Sequence, residues 1–426
     1  MQWRSILLAA TAGACLVLAG CGGGGSGGSG SGDSAASNAS TGGSTQANAL
    51  CPSSLDYSTV YTGGSGAGEL VTVQLDTTAM TWKVTFLKSP IPAQTGTATP
   101  TRDTAPYNVV TGTLSRVTTL PTAKLNACAY TLNGASLDAS QPARIFVGNG
   151  VAGGAIPGAT LSYTSPVGTG SISPKTFPYY PFLGFSTLDT NLANVASTFN
   201  ELGIHTVPTQ SYTSVAVDAQ YTISASGTYS ECTTGSTCKT GTGAFTLDSA
   251  SGTFWAADYI DEVSPTNPAN APQGTGILIV GKLRGQDVPV LVRVGAANPL
   301  TFVVDDESGI AVLGTQTTIA SGSQDGEYIA VDANLQYRSV LLVGAQMSLL
   351  DPFDASNASL ASTYDLDYTQ STPGVVGVTP VSGGSGETGK TIFNGGVIAY
   401  LDTASATAPY FTAGAFVESP SGSPNP

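Results

Sequence analysis

The stretch from residue 70 to residue 87, LVTVQLDTTAMTWKVTFL, decides the fold class. Apolar and polar residues alternate in LVTVQL and again in WKVTFL, which is the pattern of strands with one buried face. The segment between them begins at Asp76, and an aspartate carboxylate can accept hydrogen bonds from backbone N–H groups two residues further on. The stretch therefore predicts an antiparallel β-hairpin closed by an aspartate turn.

The same unit of an apolar strand, an aspartate turn and a second strand recurs along the chain, at residues 245–255, 300–313, 329–343 and 397–411. Other segments also have the composition of strands, at 111–117, 128–132, 145–147, 160–163, 214–224, 276–280 and 288–294. Frequent glycine and proline separate them. The sequence predicts a mainly β fold of antiparallel hairpins, in one large or two smaller sandwich or barrel units. A β-propeller-like arrangement is the alternative, although no repeat of fixed length supports it.

One segment, residues 186–203, has a different periodicity. Its apolar residues follow one another at steps of four and three, at Leu188, Leu192, Val195, Phe199 and Leu202. This spacing is typical of one face of an α-helix, and Ser186 with Asp189 forms a capping-box pattern before a stop at Gly203. The sequence therefore predicts one covering α-helix at about 187–202. It would divide the body into a front β region, 51–185, and a back β region, 204–426, which also fit one continuous domain.

The amino terminus has the features of an export signal. Arg4 precedes an apolar run from Ile6 to Leu18 that is short for a membrane span and typical of a signal peptide, here residues 1–20. The ending Leu-Ala-Gly-Cys21 resembles the lipobox of bacterial lipoproteins. That resemblance implies an acylated, palmitate-bearing Cys21 that anchors the protein in a membrane, and Gly22 after it implies the outer membrane. Residues 21–50, nearly all small and polar, are predicted to form a disordered Gly/Ser tether.

The charge and the cysteine content agree with a location outside the cytoplasm. Only 10% of the residues are charged and the net charge is −14, so the chain repels phosphate backbones and a nucleic-acid partner is excluded. Two cysteines belong to the amino-terminal segment, and the remaining four are Cys51, Cys128, Cys232 and Cys238. An even number in an oxidising compartment predicts two disulfides, with three possible connectivities. The turn-like segment between Cys232 and Cys238 favours a local bridge, which leaves Cys51 to pair with Cys128.

The sequence contains only weak indications of a nucleotide, cofactor or metal site. Residues 384–391 match the nucleotide-binding P-loop, but paired glycines follow where its helix would begin, so a loop between strands is predicted, with no nucleotide or other cofactor. No cysteine or histidine spacing indicates a metal site.

His205, the only histidine, is predicted to be structural or partly exposed rather than the base of a hydrolase. The acidic groups at 305–307 (Asp305, Asp306, Glu307) and at 258–262 (Asp258, Asp261, Glu262) are interpreted as solvated turns rather than glycosidase carboxylates or calcium sites. No catalytic residue is assigned.

The densest aromatic segment is FPYYPFLGF at 177–185, which contains Phe177, Tyr179, Tyr180, Phe182 and Phe185. Aromatic faces can stack on sugar rings or form the centre of a protein interface. The favoured interpretation is that the segment covers the core, and a binding patch is the alternative.

Several segments, FLGFS at 182–186, STFNELGIH at 197–205, SVAVD at 214–218 and GGAIPG at 153–158, resemble an uncharacterised family of beta-proteobacterial lipoproteins. The resemblance implies a lipid-anchored β protein of the cell envelope, on the periplasmic or the surface face, without an assigned activity. We therefore expect a non-enzymatic binding or structural β scaffold whose partners are the membrane and a glycan or envelope protein. The alternatives are an extracytoplasmic hydrolase of glycan or peptide, and a surface adhesin that uses the aromatic segment.

Overall fold

A computed structural model describes residues 50–96, 100–120, 123–164, 171–233, 238–241, 243–256, 274–295, 305–353, 362–381, 388–402 and 408–418. The predicted signal peptide, Cys21 and nearly all of the predicted tether lie outside these residues. So do Asp258, Asp261, Glu262 and the first strand predicted in 300–313.

The first part of the chain forms an eight-stranded closed antiparallel barrel. Its strands are β1 (Tyr61–Ser65), β2 (Glu69–Asp76), β3 (Thr81–Lys88), β4 (Val109–Arg116), β5 (Ala129–Asn133), β6 (Arg144–Val147), β7 (Val151–Thr164) and β8 (Ser171–Phe185). Each strand pairs with the next, and β8 returns to pair with β1. A short helix, α1 (Ala123–Ala127), lies between β4 and β5.

The middle of the chain forms a nine-stranded sheet. Its strands are β9 (Ser197–Val207), β10 (Thr213–Ile223), β11 (Tyr229–Thr233), β12 (Lys239–Thr240), β13 (Thr246–Asp248), β14 (Thr253–Ala256), β15 (Thr275–Leu283), β16 (Gln286–Val294) and β17 (Ser308–Thr315). Their spatial order is β12-β11-β10-β9-β17-β16-β15-β14-β13, so β9 and β17 are neighbours at the centre. Two 3-10 helices, Leu192–Val195 and Pro208–Gln210, flank β9.

The last part forms a second eight-stranded closed barrel. Its strands are β18 (Gly326–Asp332), β19 (Tyr337–Val343), β20 (Gln346–Leu350), β21 (Ser362–Asp367), β22 (Val375–Pro380), β23 (Gly389–Asn394), β24 (Val397–Asp402) and β25 (Tyr410–Glu418). One hydrophobic cluster contains residues of all three parts, among them Phe185 of the first barrel, Leu202 of the sheet and Val397 of the second barrel. The sheet and both barrels therefore pack against a shared core.

The mainly β, antiparallel prediction is confirmed, and closed barrels replace the propeller-like alternative. The opening stretch of the sequence forms the β2–β3 hairpin. The Asp76 carboxylate closes its turn by accepting hydrogen bonds from the backbone N–H groups of Thr78 and Ala79, at 2.9 and 2.7 Å. The aspartate turn thus forms by the mechanism that the sequence suggested.

The predicted α-helix at 187–202 is wrong. A 3-10 helix covers only Leu192–Val195, and strand β9 begins at Ser197. Both faces of β9 are buried over most of its length, so its burial does not alternate. Of the five apolar residues with the helical spacing, only Phe199 and Leu202 lie in β9, and the other three precede it. Gly203 is not a helix stop: a Cβ there would lie 2.5 Å from the Ala311 Cβ, so glycine permits the close approach of β9 and β17.

Two disulfides join Cys51 to Cys128 and Cys232 to Cys238, with sequence separations of 77 and 6 residues. This is the pairing that the local spacing favoured. Within the described residues, no helix has both the length and the apolar character needed to cross a membrane.

Candidate functional site

An open cleft of about 760 Å³ lies where the nine-stranded sheet meets the second barrel. Four segments form its walls. They are the 3-10 helix with the start of β9, the β15–β16 turn, the loop after β17 and the β23–β24 turn. The lining residues are Asn194, Val195, Ser197, Phe199, Arg284, Gly285, Gln286, Asp287, Thr315, Thr317, Thr318, Ile319, Ser323, Gln324, Phe393, Asn394, Gly395 and Gly396. We call this recess the polar cleft.

Two tight turns shape the polar cleft. Arg284 and Gly285 connect β15 to β16 with φ angles of 52° and 76°, and Gly395 and Gly396 connect β23 to β24 with φ angles of 56° and 94°. Two-residue hairpins with positive φ at both central residues match the twist of their strands. A Cβ on Gly395 would lie 2.6 Å from Val288 Cγ2, so glycine also lets the two turns approach each other. These two walls are therefore hairpin turns between paired strands of the sheet and of the barrel.

Asp189 holds the wall of the polar cleft that the 3-10 helix Leu192–Val195 forms. Its carboxylate accepts hydrogen bonds from the Asn191 backbone N–H at 2.8 Å, from Asn194 Nδ2 at 2.7 Å and from Lys282 Nζ at 2.7 Å. Burial acts to raise the pKa of Asp189, but the bonds from Lys282, Asn194 and Asn191 outweigh it and hold that pKa well below its ordinary value. The ionised carboxylate therefore ties the 3-10 helix to β15.

Neutral hydrogen-bonding side chains dominate the lining of the polar cleft. Threonine and serine hydroxyls and asparagine and glutamine amides outnumber its two charged residues, Arg284 and Asp287. Asp287 is held by Lys282 at 2.9 Å. Arg284 is exposed, its guanidinium lies 4.5 Å from the centre of the Phe416 ring, and no ion pair is found for it among the described residues. A single carboxylate cannot supply the acid and base pair of a glycosidase, but hydroxyls, amides and one arginine can bind a polar ligand.

His205 lies at the opposite end of β9, in a buried ionic cluster that consists of His205, Arg293, Asp305 and Glu307. His205 Nδ1 is 2.6 Å from Glu307 Oε1, and Arg293 Nη2 donates to Asp305 Oδ1 at 2.6 Å. Arg293 Nη1 is 3.6 Å from the second Glu307 oxygen. No hydrogen bond of the described residues joins the His205 ring to a serine or a cysteine. The histidine is thus held by Glu307 in a buried cluster, and its structural role stays a prediction.

The interpretation of Asp305, Asp306 and Glu307 as solvated turn residues is wrong. Their exposed fractions are 1%, 6% and 2%. Two other strands supply groups that contact two of these acids. Arg293 from β16 pairs with Asp305, and His205 from β9 contacts Glu307. Burial acts to raise the pKa of Glu307, but the His205 hydrogen bond and the nearby cations lower it overall. Such compensation comes from residues distant in sequence, so local composition does not reveal it.

The other predicted sites have these positions. The segment 177–185 lies in β8, where Tyr179, Tyr180, Phe182 and Phe185 are buried and Phe177 is half-buried. Lys390 and Thr391 of the P-loop-like segment lie in β23, where Lys390 pairs with Asp218 of β10. Among the described residues, no group of three or more His, Cys, Asp or Glu side chains is arranged to hold a metal ion.

Sequence reasoning did not identify the polar cleft. The available signal was local: Arg-Gly at 284–285 and Gly-Gly at 395–396 each stand between two apolar runs, which is typical of a two-residue hairpin turn. That signal predicts each turn but not that the two turns meet.

The comparisons with known proteins identify the family but no activity. No curated protein matches this chain. Residues 81–415, more than half of the chain, match the family model described as "Protein of unknown function (DUF2957)". The match extends from β3 in the first barrel into β25 in the second. The chain therefore belongs to the DUF2957 family of proteins of unknown function.

Proposed function

We propose that this protein is a lipid-anchored, non-enzymatic lipoprotein of the cell envelope that binds a glycan in the polar cleft. The observation that carries the proposal is the composition of the cleft, where mostly neutral hydroxyl and amide side chains line about 760 Å³ between two hairpin turns. Sugar hydroxyls both donate and accept hydrogen bonds, as do these side chains. Arg284, for which the described part of the chain offers no ion pair, adds a guanidinium that can donate to a ring oxygen, a hydroxyl or an acidic substituent of the glycan.

The envelope location is supported by the amino-terminal sequence and by the cysteines. Leu-Ala-Gly-Cys21 resembles a lipobox, and Cys51–Cys128 and Cys232–Cys238 are bonded as expected of a protein that folds in an oxidising compartment. We propose that acylated Cys21 anchors the body in the outer membrane through the tether. Radiolabelled palmitate should enter the wild-type protein and not the Cys21→Ser variant, and equal labelling of both would contradict the anchor.

A binding role is preferred over hydrolysis because neither the polar cleft nor the surroundings of His205 has the arrangement that hydrolysis requires. Among the described residues, the lining of the polar cleft includes one carboxylate, that of Asp287, and it is paired with Lys282. His205 is engaged with Glu307 inside the buried ionic cluster. An enzyme would need a base next to a nucleophile or two carboxylates across a cleft.

The test is an array of bacterial envelope glycans probed with the detergent-solubilised full chain, followed by titration calorimetry on the glycans that bind. Arg284→Ala should weaken binding roughly tenfold, the loss expected for one charge-assisted hydrogen bond. Arg116→Ala is the matched control, because Arg116 is also exposed and also lies over an aromatic ring, that of Tyr130, at 5.3 Å. A blank array, or equal losses in both variants, would contradict the proposal.

A further inference from the structure

A second recess lies at the other end of the β9–β17 strand pair, against the first barrel. Its volume is about 80 Å³, and most of its lining is apolar. Four aromatic residues, Tyr163, Phe177, Tyr180 and Tyr212, and one acid, Asp306, contribute to this lining. We call it the aromatic cavity. One water needs about 10–15 Å³ of such space, so the cavity has room for about five to eight non-hydrogen atoms.

Tyr180, one of the residues that line the aromatic cavity, has a buried hydroxyl group. The residue is only 4% exposed, and no hydrogen-bond partner for its Oη is found among the described residues. Buried polar groups in folded proteins are nearly always bonded, so an unsatisfied one calls for an explanation. A ligand oxygen inside the cavity would supply the missing partner.

The ring faces at this cavity already attract a cation. The Lys175 ammonium lies 4.9 Å from the centre of the Phe177 ring and 5.5 Å from that of the Tyr212 ring. Phe177 also stacks on Tyr180 at 5.2 Å and meets Tyr212 edge-on at 5.9 Å, so the three rings form one cluster. Cations within about 6 Å of a ring centre are attracted by the negative face of the ring. Lys175 is exposed, so its flexible side chain can leave these rings.

The acid of the aromatic cavity, Asp306, has no cationic partner within the part of the chain that the structure describes. Asp306 accepts a hydrogen bond from the Thr209 backbone N–H at 2.6 Å, and no salt bridge to it is found among the described residues. Its neighbours differ, because Asp305 is bonded to Arg293, and Glu307 is bonded to His205. Burial raises the pKa of Asp306, because removing its carboxylate from water has a cost that no cation among the described residues offsets. A bound cation would remove this cost.

We propose that the aromatic cavity binds a small quaternary ammonium group that carries an oxygen, of the choline type. The aromatic faces and the Asp306 carboxylate would hold the cationic end, and the Tyr180 hydroxyl would donate to the ligand oxygen. Choline has seven non-hydrogen atoms, which is within the size that the cavity admits. Lys175 competes for the same rings from the solvent side. This site is independent of glycan binding in the polar cleft.

Calorimetric titration of the full chain with choline tests the proposal, and two ligand analogues serve as controls on the unaltered protein. Choline should bind with a measurable dissociation constant. Its neutral carbon isostere, dimethylbutanol, should bind at least roughly tenfold more weakly, because it has the same shape without the charge. Equal binding of the two compounds, or no binding of choline, would overturn the proposal. Glycerophosphocholine binding as tightly as choline would assign a lipid headgroup as the source, and choline binding alone would assign a free solute.

Variants locate the site. Asp306→Asn should weaken choline and tetramethylammonium alike by roughly tenfold, whereas Tyr180→Phe should weaken choline and leave tetramethylammonium unchanged. Lys175→Gln should tighten both roughly threefold, because it removes the competing ammonium. Tyr107→Phe is the control, since Tyr107 is 37% exposed and is not part of the lining. Equal effects of Tyr180→Phe on both ligands would contradict the role of its hydroxyl. Arg284→Ala should leave choline affinity unchanged, which separates this site from the polar cleft.

Discussion

The two ends of the β9–β17 strand pair use polar side chains in opposite ways. Phe199 pairs with Thr315 at the end that opens into the polar cleft, and Thr206 pairs with Ser308 at the end that adjoins the ionic cluster. The open end, at the polar cleft, has mostly neutral hydroxyls and amides, while the other end, which we call the closed end, has the ionic cluster, whose charged groups contact one another. The charges of the ionic cluster therefore act as internal connections, and neutral side chains form most of the surface of the polar cleft.

Charged side chains are also paired inside the two barrels. Other buried ion pairs have the same role, since Arg102 pairs with Glu69 inside the first barrel and Arg338 with Asp332 in the second. Removing two charges from water offsets most of their mutual attraction, so such pairs fix geometry more than they add stability. Loss of one partner, however, leaves a buried charge uncompensated.

The largest change in stability is expected when Arg293 is removed from the ionic cluster at the closed end. Arg293→Ala leaves Asp305 and Glu307 buried without their guanidinium, and we expect a loss of about 3–5 kcal/mol in the free energy of unfolding. Urea denaturation followed by tryptophan fluorescence measures it. Arg284→Ala at the open end is the matched control. A loss below about 1 kcal/mol for Arg293→Ala would mean that the ionic cluster is not a structural element.

A smaller effect is expected from the turn that shapes the open end. Gly395→Ala places a Cβ 2.6 Å from Val288 Cγ2 on a residue with a φ of 56°. Strain and overpacking should cost about 1–3 kcal/mol and distort the polar cleft. Gly134→Ala is the control for backbone strain alone, because its φ is 81° and nothing lies within 4 Å of the added Cβ. Equal losses for the two variants would show that the approach to Val288 is unimportant.

A pH-dependent effect is expected at Asp189. Its folded-state pKa is below its ordinary value, so its contribution is fully present above the unfolded-state pKa of about 4 and is lost as the pH falls towards the folded-state pKa. Asp189→Asn should cost about 1 kcal/mol at pH 7, since Lys282 is 46% exposed and screened by solvent. The difference from the wild type should shrink as the pH falls below 4.

Denaturation curves between about pH 2 and pH 7 check this dependence. Lys282→Gln should reproduce part of it, because it removes the same ion pair from the other side. A difference between Asp189→Asn and the wild type that stays constant over this pH range would contradict the account.

The smallest stability effect is expected at Arg284. Because Arg284 is exposed and no ion pair is found for it among the described residues, Arg284→Ala should change the free energy of unfolding by less than about 0.5 kcal/mol while weakening glycan binding. Parallel denaturation and calorimetry on the same preparation measure both quantities. A large loss of stability would place Arg284 among the structural residues instead.

The sequence predicted those features that depend on neighbouring residues. The β2–β3 hairpin follows from alternation and from Asp76, and the pairing of Cys232 with Cys238 follows from their short separation. Features that depend on distant contacts were not predictable in this way. Residues 197–202 of β9 do not alternate as a half-buried strand would, because both faces of the strand are covered. The acids at 305–307 have the local composition of a solvated turn, because Arg293 and His205, which contact Asp305 and Glu307, come from other strands.

Hydrogen exchange with and without a bound envelope glycan tests the central claim most directly, because it compares both ends of the β9–β17 pair in one experiment. The account predicts slower exchange at the open end, in residues 197–199, 284–287 and 315–319, and unchanged exchange at 205–209 and 305–308. Slower exchange at the closed end, with no change around the polar cleft, would contradict it.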